Sequence, residues 1–373
     1  MPDPNAIVSA VIRFDPPLDR PPAEILRGPS GLSVELEGGR RVRLDPGNPQ
    51  SAGLAEVLDE LSKRRHPAYI EVDPATSTII RLFIPLVSRV LGMRPIDTGV
   101  LGVELERSHA RHVLRSSSPD FAELEGRLRE AIRSRSPVIL SENDRHEVLD
   151  VRSYTPGPED PPFPFPRPEV PREPPWPLNW LRDLLRWILW PILSWWRGCI
   201  SEAKAQQVFD AMNATNCNPL TVPVPCIPFL YPDNGCWARA HEMCRLMFDM
   251  GLKPKKVWIH GSLYVATKNS PVCEIWWGWH VAPTLCVRGP KLFQHQRKVI
   301  DPSLFATPVT KADWKAKQGD PNATLTDTDA SYYWFNGSTD PSYVETLLDL
   351  AQHRTLLKNR SLQHGPPPYA NCP

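Results

Sequence analysis

Half of the 22 residues from Pro156 to Pro177 are proline, and this segment most constrains how the chain can fold. Proline has no amide donor and a fixed φ, so such a run can join neither a helix nor a central strand. It should form an extended polyproline arm, reaching roughly 70 Å at ~3.1 Å per residue. The chain, with 44 prolines in 373 residues, is therefore expected to divide around it. The partition is an N-terminal region, 1–154, a proline-rich linker, 155–177, a tryptophan-rich segment, 178–198, a C-terminal domain, 199–362, and a disordered tail, 363–373. As a spacer the arm needs no partner; as a docking strip it would meet a proline-binding protein, and it could also lie across a site as a latency peptide.

The N-terminal region carries an internal repeat, 34–83 and 103–151. Val34-Glu35-Leu36-Glu37 returns as Val103-Glu104-Leu105-Glu106. Each copy continues with a short strand (Val42 to Leu44; His112 to Leu114) and an amphipathic helix. The helix carries Leu54, Val57, Leu58 and Leu61 in one copy, and Leu124, Leu128 and Ile132 in the other. Two further strands close each unit, so the fold class predicted is α+β, with two similar units packed as a pseudo-dimer. The region has no cysteine and no concentrated acid–histidine constellation. An accessory role in inhibition, targeting or substrate presentation is expected of it.

Residues 178–196 hold Trp180, Trp187, Trp190, Trp195 and Trp196. The apolar run from Trp187 is too short to cross a bilayer, so this segment is expected either to pack on the C-terminal domain or to lie in a membrane interface as a peripheral contact. A formal net charge of +1 gives nucleic acid no electrostatic hold. Neither a cleavable secretory signal nor a transmembrane helix is visible. The expected location is the cytoplasm, or outside it by a signal-less route.

Chemistry concentrates between Tyr231 and Leu304. In Asp233-Asn234-Gly235-Cys236-Trp237-Ala238-Arg239-Ala240-His241 the turn pair Asn234-Gly235 precedes Ala240, Met243 and Met247 at helical spacing. Asn234 is expected to cap that helix, and Cys236 to sit in its first turn, where unpaired amides favour the thiolate. His280 lies in Trp276-Trp277-Gly278-Trp279-His280-Val281-Ala282, an apolar and aromatic run that reads as a buried strand. Asp301 follows the short strand Arg297-Lys298-Val299-Ile300, and Pro302 ends it. Adjacent antiparallel strands would set Asp301 beside His280 and fix its tautomer for work on a thiol. His241 and His260 compete as the base, although His241 points off the thiol's helical face. A zinc site from Cys236, His241 and Cys244 is weaker, because no second ligand pair has recognised spacing.

Taken together, these frames resemble the protein-glutaminase family, enzymes that deamidate glutamine side chains within intact proteins. The resemblance rests on Tyr231 to His241, Trp279 to Ala282, Ile300 to Phe305, Pro308 to Thr310 and Trp314, and covers roughly Gln206 to Leu357. It implies a papain/transglutaminase-like core, with a cysteine-bearing helix packed on an antiparallel sheet, and catalytic roles for Cys236, His280 and Asp301. It also implies a thioester intermediate and needs no metal or organic cofactor. Cys217 and Cys226 stand where the family carries a cysteine pair and are read as a disulfide, with two free thiols as the alternative. Trp237 and Trp279 are candidates for the walls of the glutamine slot. The aromatic stretch Trp276 to Trp279 and His260 depart from the family pattern, which bears on substrate preference. The implied partner is a protein with an exposed glutamine, with intramolecular inhibition by the N-terminal region as a further expectation. Alternatives from the same parts are transglutaminase-like acyl transfer, a cysteine protease, and a non-catalytic membrane- or partner-binding protein.

Overall fold

The computed structural model describes residues 6–28, 31–155, 199–221, 226–289 and 294–373. The expectations for the proline arm and the tryptophan-rich segment fall on 156–198, outside the described residues. Helix and strand are mixed throughout. No helix among the described residues is long and apolar enough to cross a membrane.

The first N-terminal unit contains β1 (Ala6–Ser9), β2 (Val11–Asp15), α1 (Pro22–Leu26), β3 (Leu32–Leu36), β4 (Arg41–Leu44), α2 (Ser51–Lys63), β5 (Ala68–Val72) and β6 (Ile79–Phe83). The second contains β7 (Leu86–Asp97), β8 (Val100–Leu105), β9 (His112–Arg115), α3 (Phe121–Ser134), β10 (Pro137–Glu142) and β11 (Val148–Ser153). Strand β7 pairs with β10 through Leu86 to Arg89, and with β8 from Val90 onward. In the first unit, β1 and β2 divide the same two tasks, pairing with β5 and β3 respectively. Parallel bridges at Arg43–Thr78 and Val113–Glu147 occupy matching places.

Each unit has its own core. Alternation along β3 turns Leu32, Val34 and Leu36 inward, where Leu54, Leu58 and Leu61 of α2 meet them. Leu114, Leu140 and Val151 meet Leu124 and Leu128 of α3 in the same manner.

The C-terminal half runs α4 (Glu202–Asn213), α5 (Cys236–Asp249), β12 (Lys255–Ala266), β13 (Glu274–Arg288), β14 (His295–Val299), β15 (Val309–Thr310), α6 (Lys311–Lys317), β16 (Thr324–Asp329) and α7 (Val344–His364). Its antiparallel sheet has the order β15-β14-β13-β12-β16. Ala240, Met243 and Met247 of α5 are buried with Trp258, Val281 and Leu285 of the central strands. Disulfides join Cys199 to Cys286, Cys217 to Cys226, and Cys273 to Cys372, leaving Cys236 and Cys244 as buried free thiols.

Two expectations need correction. The helical spacing of Val344, Leu347, Leu350 and Ala351 predicts a closing helix over Ser342 to Leu357; the helix runs on to His364 because its last turns face the N-terminal units. Leu356 and Leu362 pack on the first unit's core, and Asn359 donates to the Leu82 carbonyl at 2.8 Å. The tail expected to be disordered is instead anchored: Tyr369 N–H donates to the Lys268 carbonyl at 2.7 Å, and Cys372 is bonded to Cys273.

Candidate active site

The turn before α5 depends on glycine. Gly235 has φ +78°, and a Cβ there would lie 2.6 Å from the His353 ring, so both the backbone conformation and the close approach exclude other residues. Asn234 does not cap the helix; its Oδ1 accepts from the Gly235 N–H at 3.0 Å, and α5 has no side-chain cap. Buried Arg239 holds the turn instead, donating to the carbonyls of Tyr231 at 2.9 Å and of Asn234. Cys236 thus opens α5 at the surface of the sheet.

His280 projects from β13. Its Nε2 lies 2.9 Å from Asp301 Oδ2, just beyond β14. Trp314 Nε1 donates to the same oxygen at 2.9 Å, and the Ser303 N–H donates to Oδ1 at 3.2 Å. The imidazole stacks between Trp277 and Trp314, with centroids 4.6 Å and 5.5 Å away. Burial opposes ionisation of Asp301, but the His280 charge and the bonds from His280 and Trp314 outweigh it, lowering its pKa. Asp301 takes up Nε2 and leaves Nδ1 of His280, which is buried with no partner among the described residues.

One decisive residue comes from the other half of the chain. Upstream of Thr284, the edge of β13 not covered by β12 is occupied by the loop between β8 and β9. The Gly278 N–H donates to the His109 carbonyl at 3.0 Å, and the Arg111 N–H donates to the Trp276 carbonyl at 2.9 Å. This pairing drives His109 into the site, with Nδ1 3.6 Å from Cys236 Sγ. The coordinating atoms of Cys236, His280 and His109 lie within 4.8 Å of one another, and all three residues are buried.

The expectation of an easily ionised thiol is therefore overturned in this arrangement. Burial pushes the Cys236 thiol up to about 12, outweighing Arg239 and the backbone groups of Val281 and Trp237, which favour the thiolate. Desolvation exceeds what one helix start supplies. Burial, followed by the His280 and Arg239 charges, also holds His109 well below the ordinary histidine range.

Trp237 and Trp279 flank His109, at 5.8 Å and 5.2 Å between ring centroids. The Trp237 indole donates to buried Asp349 at 2.6 Å, and Asp349 also accepts from Tyr333 and pairs with Arg107. His241 turns away, its Nδ1 2.8 Å from Lys256 Nζ, and His260 lies against Phe335. Neither approaches the thiol as part of a cluster, and no ligand group containing His241 and Cys244 forms among the described residues.

Sequence reasoning missed His109, and with it a charged cluster at the junction of the two halves. Contrary to the expectation that the N-terminal region lacks an acid–histidine constellation, Glu142 binds His112 at 2.5 Å and His146 at 2.9 Å. His146 also pairs with Asp233 at 3.5 Å, and Asp233 with Arg360 at 2.6 Å. A signal for His109 did exist: the turn joining the paired strands spans Leu36 to Arg41 in one repeat but the longer Leu105 to His112 in the other.

The molecule is an enzyme of mixed helix–sheet fold whose thiol, imidazole and carboxylate converge at the edge of one antiparallel sheet. Residues 205–318 match the family model Gln_deamidase_2, described as glutaminase. No curated protein matches the chain. Among solved structures, the chain is similar to pro-protein-glutaminase, with TM-score 0.48, 21% identity, and coverage of 78% of this chain and 99% of that one. It is also similar to protein-glutaminase, with TM-score 0.36, 24% identity, and coverage of 47% of this chain and 98% of that one. The corresponding values for protein-glutaminase from Chryseobacterium proteolyticum are 0.36, 24%, 47% and 97%.

Proposed function

We propose that the chain hydrolyses the side-chain carboxamide of protein-bound glutamine, on a papain/transglutaminase-like core, and that the full chain is latent. The observation that carries the first part is the His280–Asp301 pair, with the free Nδ1 of His280 in the same buried cluster as Cys236 Sγ. His280 takes the thiol proton, and Sγ attacks the carboxamide carbon. The C–N bond then breaks as His280 protonates the departing nitrogen, giving ammonia and a thioester. Water gives a proton to His280 and attacks the thioester, the C–S bond breaks, and glutamate leaves with Cys236 reprotonated. Asp301 holds the imidazole tautomer. Proton transfer by a positioned histidine contributes about two to four orders of magnitude in rate.

Latency rests on the loop at His109. It fills the strand edge that an extended substrate segment would use, puts a side chain where the carboxamide must reach Sγ, and keeps the thiol from solvent.

Ammonia release from casein tests both parts. A shortened chain beginning at Gly198, which keeps the Cys199–Cys286 bond, should be active, the full chain nearly silent, and Cys236→Ala silent in either length. Asp301→Asn in the shortened chain should lose at least about a hundredfold while keeping its circular dichroism spectrum. Full activity in a folded Cys236→Ala protein would sink the assignment. Cross-linked products would instead indicate that an amine resolves the thioester.

A further inference from the structure

We infer that the closed full-length chain carries a zinc-binding site made of Cys236, His280 and His109, which ties the N-terminal half to the catalytic groups. The inference rests on the latency proposed above and extends it to a metal ligand.

Four observations support it. The ligand set of one thiol and two imidazoles suits zinc, which takes sulfur and nitrogen donors in tetrahedral sites. Ligand distances of about 2.3 Å to sulfur and 2.0–2.1 Å to nitrogen, at a tetrahedral angle, put S and N about 3.6 Å apart. The separation of Cys236 Sγ and His109 Nδ1 is 3.6 Å. His280 is held for this from behind: its Nε2 lies 2.9 Å from Asp301, while Nδ1 is buried without a partner among the described residues. A carboxylate behind a histidine in this way fixes its tautomer and raises its basicity as a ligand. His109 is delivered to the set by backbone pairing with β13 and not by side-chain chance.

Binding is a simple exchange. The Sγ–H bond breaks, its proton goes to solvent, and a zinc–sulfur bond forms; the two imidazoles bind through ring lone pairs without losing a proton. The fourth position is open to water. Only the closed chain has all three ligands, so zinc stabilises that form by mass action and opposes opening. Withdrawal of the His109 loop leaves a cysteine–histidine pair, a poorer zinc site.

The test titrates the full chain with cobalt(II) as a spectroscopic probe and with zinc against a chromophoric chelator, each equilibrated long enough for the buried site to open. One metal should bind, with a thiolate-to-cobalt charge-transfer band. Cys236→Ala should abolish the band, His109→Ala should abolish tight binding, and Asp301→Asn should weaken zinc about 10–100-fold. Cys244→Ala should leave the band in place, and circular dichroism checks that each variant is folded. A band that survives His109→Ala overturns the proposal, as does no binding at all. Binding that survives Cys236→Ala but is lost in His112→Ala also overturns it, assigning the metal to the His112–Glu142–His146 cluster. The latency reading stands or falls separately, on ammonia release by metal-free full-length protein.

Discussion

At the scale of single residues, the protonation state of Cys236 is set by its burial. Pushed up to about 12 from an ordinary value near 9, the thiol holds about a thousandfold less thiolate near neutral pH than an exposed cysteine. Iodoacetamide should therefore modify Cys236 at least that much more slowly in the full chain than in the shortened chain, as read by peptide mass spectrometry. Equal rates would mean that the loop does not seal the thiol. The residues of the site were unequally legible. Cys236, His280 and Asp301 each sit in a local frame a sequence displays: a turn before a helix, an apolar strand, a strand stopped by proline. His109 lies 127 positions from Cys236, and its one local mark, a β8–β9 turn longer than the β3–β4 turn, does not point to the thiol. The capping role predicted for Asn234 failed because Arg239, a long-range anchor, already holds that turn.

At the scale of elements, α7 joins the two halves. Gly53 lets it lie close on α2, since a Cβ there would come 2.5 Å from Leu362. Arg360 bridges Asp233 of the catalytic turn at 2.6 Å and Asp144 of the second N-terminal unit at 3.0 Å, and His364 reaches Asp144 at 2.8 Å. Replacing Asp144 with Ala removes both cross-domain partners and should weaken docking by about 1.5–3 kcal/mol. Cys236 alkylation in the full chain should rise about 10–100-fold. Glu56→Gln breaks the Lys358 pair, in which Glu56 is about half exposed, and should change the rate little, because such a pair is worth at most about 1 kcal/mol. The apolar spacing of Leu347, Leu350 and Ala351 made the first turns of α7 readable. Its last turns bury Asn359, Arg360 and Ser361, polar residues whose burial only the packed partner explains.

At the scale of the whole molecule, the junction should respond to pH. Burial alone would lower His146, but Glu142 and then Asp233 outweigh it and raise it to about 10. Its contribution is thus complete below the unfolded value of about 6.5 and is lost as pH rises toward 10. Asp233 is depressed to about 2: burial opposes its ionisation, and Arg360 first, then His146, overcome that. Its contribution is present above about pH 3.9 and is lost as pH falls toward 2. The closed chain should be most stable between about pH 4 and 6.5, with a melting temperature that declines into alkali. His146→Gln should flatten the alkaline limb, and an unchanged slope would remove His146 as its cause. Helices α2 and α3 were visible because Leu54 to Leu61 and Leu124 to Ile132 keep helical spacing. That β7 alone covers what β1 and β2 share was hidden, since strand pairing leaves no mark in either sequence segment.

The bond between Cys273 and Cys372 has a further consequence. It ties the end of the chain to the hairpin between β12 and β13, so α7 stays with the catalytic half whenever the N-terminal units leave. The helix then carries Leu362, and the face of Leu356 not packed on the Cys217–Cys226 cluster, away from the first unit's core and into water. Activation would thus give an enzyme with a newly bare greasy stripe on its back, ready to bind a hydrophobic dye, a second enzyme molecule or the unfolding substrate itself.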